Sequence, residues 1–202
     1  MEIDAGEIRP SLLYQHLIHC IVPRPIAWVS TVSESGITNV APFSFFSGVG
    51  SRPPSLLFCP ANNADGGPKD TLRNIESTGE FVVNIVPEFL AEPMNRSAAV
   101  LPPDESEFDV CGLTSLSGTR VRAPRVAESP VQFECEVLQI LKIGDGPGGA
   151  NIVIGRILYV HVSDAVLGAD GVADPDLLNA IGRMGGKDYC RTGDRFSLPR
   201  PE

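Results

Sequence analysis

Two long β-rich runs separated by a glycine-rich turn restrict the fold of this chain more than any other feature. The first is VQFECEVLQILKIG, at residues 131–144, and the second is ANIVIGRILYVHVSDAVL, at residues 150–167. β-branched and aromatic residues favour extended backbone in both runs, and GDGPGG between them indicates a turn. With 20 glycines and 18 prolines among 202 residues, the rest of the chain is also interrupted often. Short strands and turns are therefore expected rather than long helices.

Four shorter stretches predict further strands: PIAWVSTVS, ITNVAPFSFF, SLLFCPA and EFVVNIV. The first alternates, so that Trp28 and Val29 face opposite sides of the sheet. ESG between the first two stretches indicates a hairpin. Pro42 belongs at a bend, a bulge or an edge, because it cannot donate to a strand ladder. Six strands with little helix between them predict a mainly β fold, a six-stranded closed or nearly closed antiparallel barrel.

Three stretches predict short peripheral helices within what we expect to be a single domain over residues 1–202. KDTLRNIESTG is expected to have Asp70 or Thr71 near its cap and to end at Gly79, and PEFLAEPMNRSAAV is expected to be interrupted at Pro93. DPDLLNAIGRM is expected to begin with Asp174 as its cap. LPPDESEFDV and LSGTRVRAPRVAESP are expected to be loops inside the same domain.

Charge and composition exclude several classes of function. A formal net charge of −9 argues against a nucleic-acid-binding surface, which needs clustered lysine and arginine. No apolar run reaches the length of a membrane span, and the acidic start MEIDAGEIRP predicts no secretory signal. Five cysteines without a C-x-x-C spacing and three histidines without an acidic partner at ligand spacing predict no disulfide scaffold and no metal site. A cytoplasmic protein with reduced thiols is therefore expected.

The junction GGPKDTLRNI lies between a predicted strand and a predicted helix. It is not a Walker loop, because Pro68 precedes Lys69 and Asp70 follows it. One interpretation is only a capped helix start with a solvated lysine. The other is an anion site, in which free backbone N–H groups, Lys69 and the hydroxyl of Thr71 hold a phosphate. Asp70 competes with that second interpretation, because its carboxylate can accept from the same N–H groups.

A second candidate region lies at the ends of the first two predicted strands. Ser30 and Thr31 close one strand, and APFSFFSG follows in the next. These residues form either an ordinary sheet face with solvated hydroxyls or a groove at the barrel rim, where peptide groups bind a planar heterocycle. No G-x-S-x-G and no G-x-G-x-x-G after a strand occurs, so neither a hydrolase nor a Rossmann site is supported. The residue pattern alone predicts a β-barrel that binds a phosphorylated ligand.

Five stretches in family order resemble the flavin reductase-like family with the FMN-binding split-barrel fold. The resemblance runs from about residue 21 to residue 191 and is nearest to the branch of flavoredoxin and of the flavin reductase components of two-component monooxygenases. The stretches are IVPRPIAWVSTVSESGITNVAPFSFF, PPSLLF, KDTLRNIESTGEFVVNIV, IGRILYVHVSD and IGRMGGKDYCR.

The resemblance implies a six-stranded split β-barrel that binds FMN at a homodimer interface, largely through backbone groups. It implies a flavin reductase that receives electrons from NADH or NADPH and passes them to a monooxygenase or another redox protein. Two alternatives stay open: an electron carrier like flavoredoxin that uses a protein partner, and a ligand-binding barrel without redox function. No side chain is assigned a catalytic role. The cofactor-binding residues that the resemblance implies are Arg24, Ser30, Thr31, Ala41, Pro42, Phe43, Ser44, Phe45, Phe46, Lys69, Asp70, Thr71, Arg183, Gly186 and Tyr189.

Two departures from the family pattern concern the nicotinamide. Where short-chain relatives carry a histidine before the NIVIGRI strand, this chain has Ala150 and Asn151, and Arg156 replaces a common glutamate. We therefore expect nicotinamide binding to rest on backbone contacts or on Arg156, if that side chain faces the groove. His161 matches the family as well and is expected to be a hydrogen-bonded histidine of the sheet.

Overall fold

The protein is described by a computed structural model that covers residues 1–102 and 104–201. The described residues form a mainly β structure with short helices around it. The helices are α1 Pro10–Cys20, α2 Asp70–Thr78, α3 Ala91–Arg96, α4 Glu107–Cys111 and α5 Pro175–Leu178. The strands are β1 Ala27–Val32, β2 Thr38–Phe43, β3 Phe46–Ser51, β4 Pro54–Phe58, β5 Glu80–Asn84, β6 Ser115–Leu116, β7 Arg125–Val126, β8 Val131–Lys142, β9 Asn151–Val162, β10 Ile181–Arg183 and β11 Tyr189–Arg191.

The main sheet is antiparallel and has the strand order β2-β1-β5-β8-β9-β4-β3. It contains seven strands rather than the six that were expected. The additional strand is β3, whose sequence FSGVGS contains two glycines that lower its strand propensity. β2 and β3 occupy opposite edges of the sheet, yet only Ser44 and Phe45 separate them in the chain. The two edges therefore meet at this bend, and Pro42 lies on an edge strand just before it, as expected.

β1 contributes to a separate hydrophobic cluster on each of its faces. Ala27 and Val29 pack in one cluster with Phe58, Phe81 and other residues of the sheet. Ile26 and Trp28 pack in a second cluster on the opposite face, which the helices α3 and α4 cover. The alternation that the sequence predicted is confirmed, and both faces of this strand are buried.

The two longest strands, β8 and β9, form the hairpin that the two β-rich runs predicted. Each has 12 residues, and they pair from Val131↔Val162 to Lys142↔Asn151 with two irregularities in register. This hairpin connects β5 on one side with β4 on the other. It is therefore the middle of the sheet.

Helix α2 lies against the sheet and positions the candidate phosphate site. Its buried face carries Leu72 and Ile75, which pack into the cluster that contains Phe81. The helix ends at Gly79, whose φ of 71° is a left-handed conformation that glycine adopts without steric cost. Both predicted ends of this helix are confirmed to within one residue.

The remaining helices differ from the sequence predictions in three respects. α3 begins at Ala91 after a 3₁₀ turn, and Pro93 lies in its first turn, where a missing N–H removes no helical hydrogen bond. α5 is capped by Asp174 as expected, but it ends at Leu178, and IGR forms β10 instead. α1 and α4 were not predicted, and α4 occupies part of a stretch expected to be a loop. No helix in the described part of the chain is long and apolar enough to cross a membrane.

Candidate functional site

A groove of about 260 Å³ lies where the end of β2, the bend after it and the N-terminus of α2 meet. Two further segments complete it: the chain that follows β4 and the chain that follows α3. Eight of the predicted site residues line it, namely Ala41, Pro42, Phe43, Ser44, Phe45, Lys69, Asp70 and Thr71. The residues that line it without having been predicted are Tyr14, Asn39, Cys59, Ala61, Asn63, Ser97, Ala98, Ala99, Val100, Leu101 and Glu107.

One end of the groove is formed by the first turn of α2. Lys69 is the N-cap residue, and its side chain makes no capping hydrogen bond. Asp70 forms an ion pair with Arg73 one turn further along the helix. In the described structure no side chain accepts a hydrogen bond from the N–H groups of the first turn. The competition expected from Asp70 is therefore not observed, and this helix end retains donors for an anion.

A buried polar network fixes α2 against β2 beneath this end of the groove. The side chain of Thr71 donates to Oδ1 of Asn39 over 2.8 Å, and Thr31 donates to the same oxygen over 3.2 Å. Nδ2 of Asn39 donates to both carboxylate oxygens of Glu107, at 3.1 and 3.0 Å, and Val40 N–H donates to one of them. Asn74 on α2 donates to Thr31.

The charge in this network belongs to Glu107, which is 5% exposed. Burial raises the pKa of its carboxyl group, and the hydrogen bonds from its own backbone, Val40 and Asn39 oppose part of that rise. Asn39 and Glu107 are 68 positions apart in the sequence and were not predicted as site residues. No local pattern joins them, because their contact exists only where α4 packs on β2.

The other end of the groove is the bend between β2 and β3. Phe45 packs edge-on against Tyr14 of α1, and its carbonyl accepts from the N–H of Cys59. Among the described residues, no acceptor is found for the backbone N–H groups of Ser44 and Phe45. The groove therefore presents free peptide donors beside aromatic and small side chains, which suits a planar polar ring.

Arg24 lies behind this bend rather than in the groove, and it is 4% exposed. Its guanidinium donates to the carbonyls of Ile18, Ile21 and Met184 at 2.6 to 2.9 Å and to Ser44 at 3.3 Å. It also lies 5.8 Å from the ring centre of Phe45. Burial lowers the pKa of Arg24. This side chain connects α1, the bend and the C-terminal segment.

Three other predicted residues also lie outside the groove. Ser30 is fully buried, donates to the carbonyl of Pro124 and accepts from Asn84. Thr31 is fully buried in the network described above, and Phe46 packs against the core cluster of the sheet. Each lies next to the residues that form the groove without lining it.

Of the predicted C-terminal residues, Arg183 and Tyr189 belong to a second cavity of about 190 Å³, which adjoins the groove. Arg183 and Tyr189 line it directly. Gly186 does not line it, but its carbonyl accepts a hydrogen bond of 2.6 Å from Arg183. The two cavities share Pro42, Ser44 and Ala98. The structure therefore brings Arg183 and Tyr189 close to the bend, in a cavity that Lys69 does not line.

The residues considered in connection with the nicotinamide, and His161, do not line the groove. Arg156 forms an ion pair with Glu136 of the neighbouring strand and does not line the groove. Asn151 is buried and donates to the carbonyl of Pro60 and to Asn62. His161 hydrogen-bonds to the buried carboxylate of Glu134 at 2.5 Å, which confirms it as a hydrogen-bonded histidine of the sheet.

The flavin reductase like domain model matches residues 18–185 of this chain. The chain belongs to the flavin reductase-like family. One relative is the uncharacterized protein BH2278 of Halalkalibacterium halodurans, 41% identical over 204 residues that cover 100% of this chain and 97% of the relative. Family membership therefore extends over nearly the whole chain.

Two solved structures resemble this member of the family. Nitrilotriacetate monooxygenase component B from Bacillus cereus has a TM-score of 0.93 and 33% sequence identity, covering 98% of each chain. The 2-nitrobenzoate 2-nitroreductase NbaA of Pseudomonas fluorescens has a TM-score of 0.89 and 29% identity, covering 100% of this chain and 96% of its own. Both similarities extend over nearly the whole of this flavin reductase-like chain.

Proposed function

We propose that this chain binds FMN in the groove and acts as a flavin reductase that receives electrons from NADH or NADPH. One observation carries the proposal: a single groove connects the uncapped start of α2, with Lys69, to the unpaired N–H groups of Ser44 and Phe45. The first end suits a phosphate and the second suits the polar edge of a flavin ring. Membership of the flavin reductase-like family supports the same assignment.

The proposed roles of the side chains follow from their positions. Lys69 and the first turn of α2 bind the phosphate, with Thr71 held in place by Asn39. The bend from Ala41 to Phe45 lines the ring, and Arg24 keeps that bend in position from behind. When bound, FMN supplies the hydride chemistry, accepting two electrons and a proton from a dihydronicotinamide. The chain binds and orients the two reactants, and no nucleophilic side chain is required.

The acceptor of the electrons is proposed from the two similar structures. The similarity to a monooxygenase component B supports delivery of reduced flavin to a separate monooxygenase. A second candidate function, reduction of an organic nitro compound on the flavin itself, is supported by the 29% identity to a nitroreductase. Both candidates use the same groove and differ only in what removes the electrons.

We also propose that the chain forms a homodimer in the cytoplasm. The hairpin β8–β9 exposes a band of apolar side chains, which a second copy would cover: Leu138, Leu141, Leu158, Tyr159 and Val160. All five cysteines are free thiols in the structure, which is consistent with a reducing compartment.

Flavin titration followed by anaerobic reduction tests the proposed function. The purified protein is titrated with FMN, and the quenching of flavin fluorescence gives the affinity. The loaded protein is then mixed with NADH or NADPH without oxygen, and loss of the yellow absorbance is expected with at least one of them. Failure to bind FMN would refute the proposal, whereas FMN binding without bleaching would indicate an electron carrier that uses a protein partner.

A further inference from the structure

The second cavity lies between the β10–β11 hairpin, α3 and the bend after β2. Its volume of about 190 Å³ is smaller than the 260 Å³ of the adjoining groove. It can therefore enclose one group of a larger molecule rather than the whole molecule. The residues that line it are Ile26, Pro42, Ser44, Met94, Asn95, Ala98, Arg183 and Tyr189.

The guanidinium of Arg183 is held in a defined position in this cavity. It lies over the ring of Tyr189 at 4.4 Å from the ring centre, and it donates to the carbonyl of Gly186 at 2.6 Å. The hydroxyl of Tyr189 in turn donates to Asn95 of α3 at 3.1 Å. Only one guanidinium nitrogen of Arg183 has an acceptor, so the others remain available to a ligand.

No carboxylate neutralises Arg183 in the part of the chain that the structure describes. The ion pairs found there involve other cations. A fixed, unpaired guanidinium beside an aromatic ring is a suitable site for a phosphate or carboxylate.

Only two cationic side chains line the groove and the cavity beside it, as far as the described residues show. Lys69 lies at the α2 end of the groove, and Arg183 lies in the second cavity. In the proposed function Lys69 binds the phosphate of FMN. Arg183 is therefore left for an anion on a different molecule.

We propose that the Arg183 cavity binds the anionic group of the molecule that exchanges electrons with the flavin. This inference rests on the proposed function. Because the two cavities share Pro42, Ser44 and Ala98, a molecule anchored at Arg183 extends toward the bend that lines the flavin ring. The anion is either the pyrophosphate of a nicotinamide dinucleotide or the carboxylate of an aromatic acceptor. Arg156, in contrast, is paired with Glu136 and lines neither cavity.

Calorimetric titration measures this binding without any turnover. Adenosine diphosphate ribose carries the pyrophosphate of the dinucleotide without the nicotinamide, and 2-nitrobenzoate carries a carboxylate on an aromatic ring. Each is titrated into the wild type and Arg183→Gln, with and without FMN. One of the two ligands is expected to bind the wild type and to lose about tenfold to a hundredfold in affinity in Arg183→Gln, because a charge-assisted hydrogen bond is removed. The ligand that shows the loss identifies the anion.

Two controls separate this role from a general loss of structure. Lys187→Gln removes an exposed cation of the same hairpin that lines neither cavity, so it is expected to leave both affinities unchanged. FMN affinity is expected to be unchanged in Arg183→Gln, in contrast to the cofactor-binding role that the family resemblance implied, because Arg183 does not line the groove. Equal affinity of both ligands for the wild type and Arg183→Gln would overturn the proposal, as would a parallel loss of FMN. The proposed function is tested separately by FMN titration, and it would be refuted if the wild type did not bind FMN.

Discussion

The sequence allows two interpretations of Lys69, a solvated side chain at a capped helix start or part of an anion site, and the structure favours the anion site. The pattern GGPKDTLRNI is compatible with a capped helix start as well as with an anion site. In the structure Asp70 pairs with Arg73 and leaves the first turn of α2 uncapped. The donors that Asp70 was expected to occupy are thus directed at the groove, together with the lysine.

We predict that Lys69→Ala weakens the binding of FMN far more than that of riboflavin, which has no phosphate. Loss of a charge-assisted hydrogen bond costs about 1.5–3 kcal/mol, or roughly tenfold to a hundredfold in affinity. Fluorescence titration with the two flavins measures the difference. Lys142→Ala is the matched control, because Lys142 pairs with Glu76 and does not line this groove. Equal losses for both flavins would remove Lys69 from the phosphate site.

At the scale of secondary-structure elements, the close packing of β9 of the central hairpin against a side chain of β5 requires a glycine. Gly155 on β9 faces the ring of Phe81 on β5, and an added Cβ would lie only 2.8 Å from one ring carbon and closer still to another. Phe81 is fully buried and packs against Phe58, so its ring has little room to move. The glycine in NIVIGRI therefore permits close packing in the interior of the sheet.

Gly155→Ala is accordingly expected to destabilise the protein by about 1–3 kcal/mol, the usual cost of overpacking a core. For a chain of this length the melting temperature should fall by roughly 2–4 °C for each kcal/mol. Gly48→Ala on β3 is the matched control, because an added Cβ there has no atom within 4 Å. Urea unfolding of both variants gives the comparison. A Gly155→Ala protein as stable as Gly48→Ala would show that Phe81 can move aside.

At the scale of the whole molecule, the apolar band on β8 and β9 is a surface that the described residues leave partly exposed. Leu138, Leu158, Tyr159 and Val160 are each about two-fifths exposed, on the two strands at the centre of the sheet. Leaving such neighbouring apolar side chains in water is unfavourable, and patches of this kind often mark an interface between chains. This supports the homodimer that we propose.

Sedimentation of the wild type is expected to show a dimer, and the double variant Leu138→Lys and Leu158→Lys is expected to sediment as a monomer. The two lysines would place like charges at the proposed interface and remove apolar contact area. Val172→Lys changes an exposed apolar residue outside this band and should leave the dimer intact. A flavin-loaded wild-type monomer would contradict the proposed assembly.

Local patterns in the sequence determined the type and order of most elements. The alternation around Trp28 placed β1, the two β-rich runs placed β8 and β9, and Gly79 marked the end of α2. Each of these features depends on neighbours within a few residues, so it can be recognised without tertiary contacts. β3 was missed because its glycines conceal a strand that is stabilised by pairing with β4.

The tertiary structure alone decided which residues form the groove and which lie behind it. Arg24 and Ser30 belong to matching family stretches, yet their side chains bind buried carbonyls outside the groove. Asn39 and Glu107 meet across 68 positions of sequence, and Arg183 reaches the bend from the far end of the chain. The physical reason is that strand and helix periodicity is local, whereas a cavity is formed by side chains that long-range pairing and packing bring together.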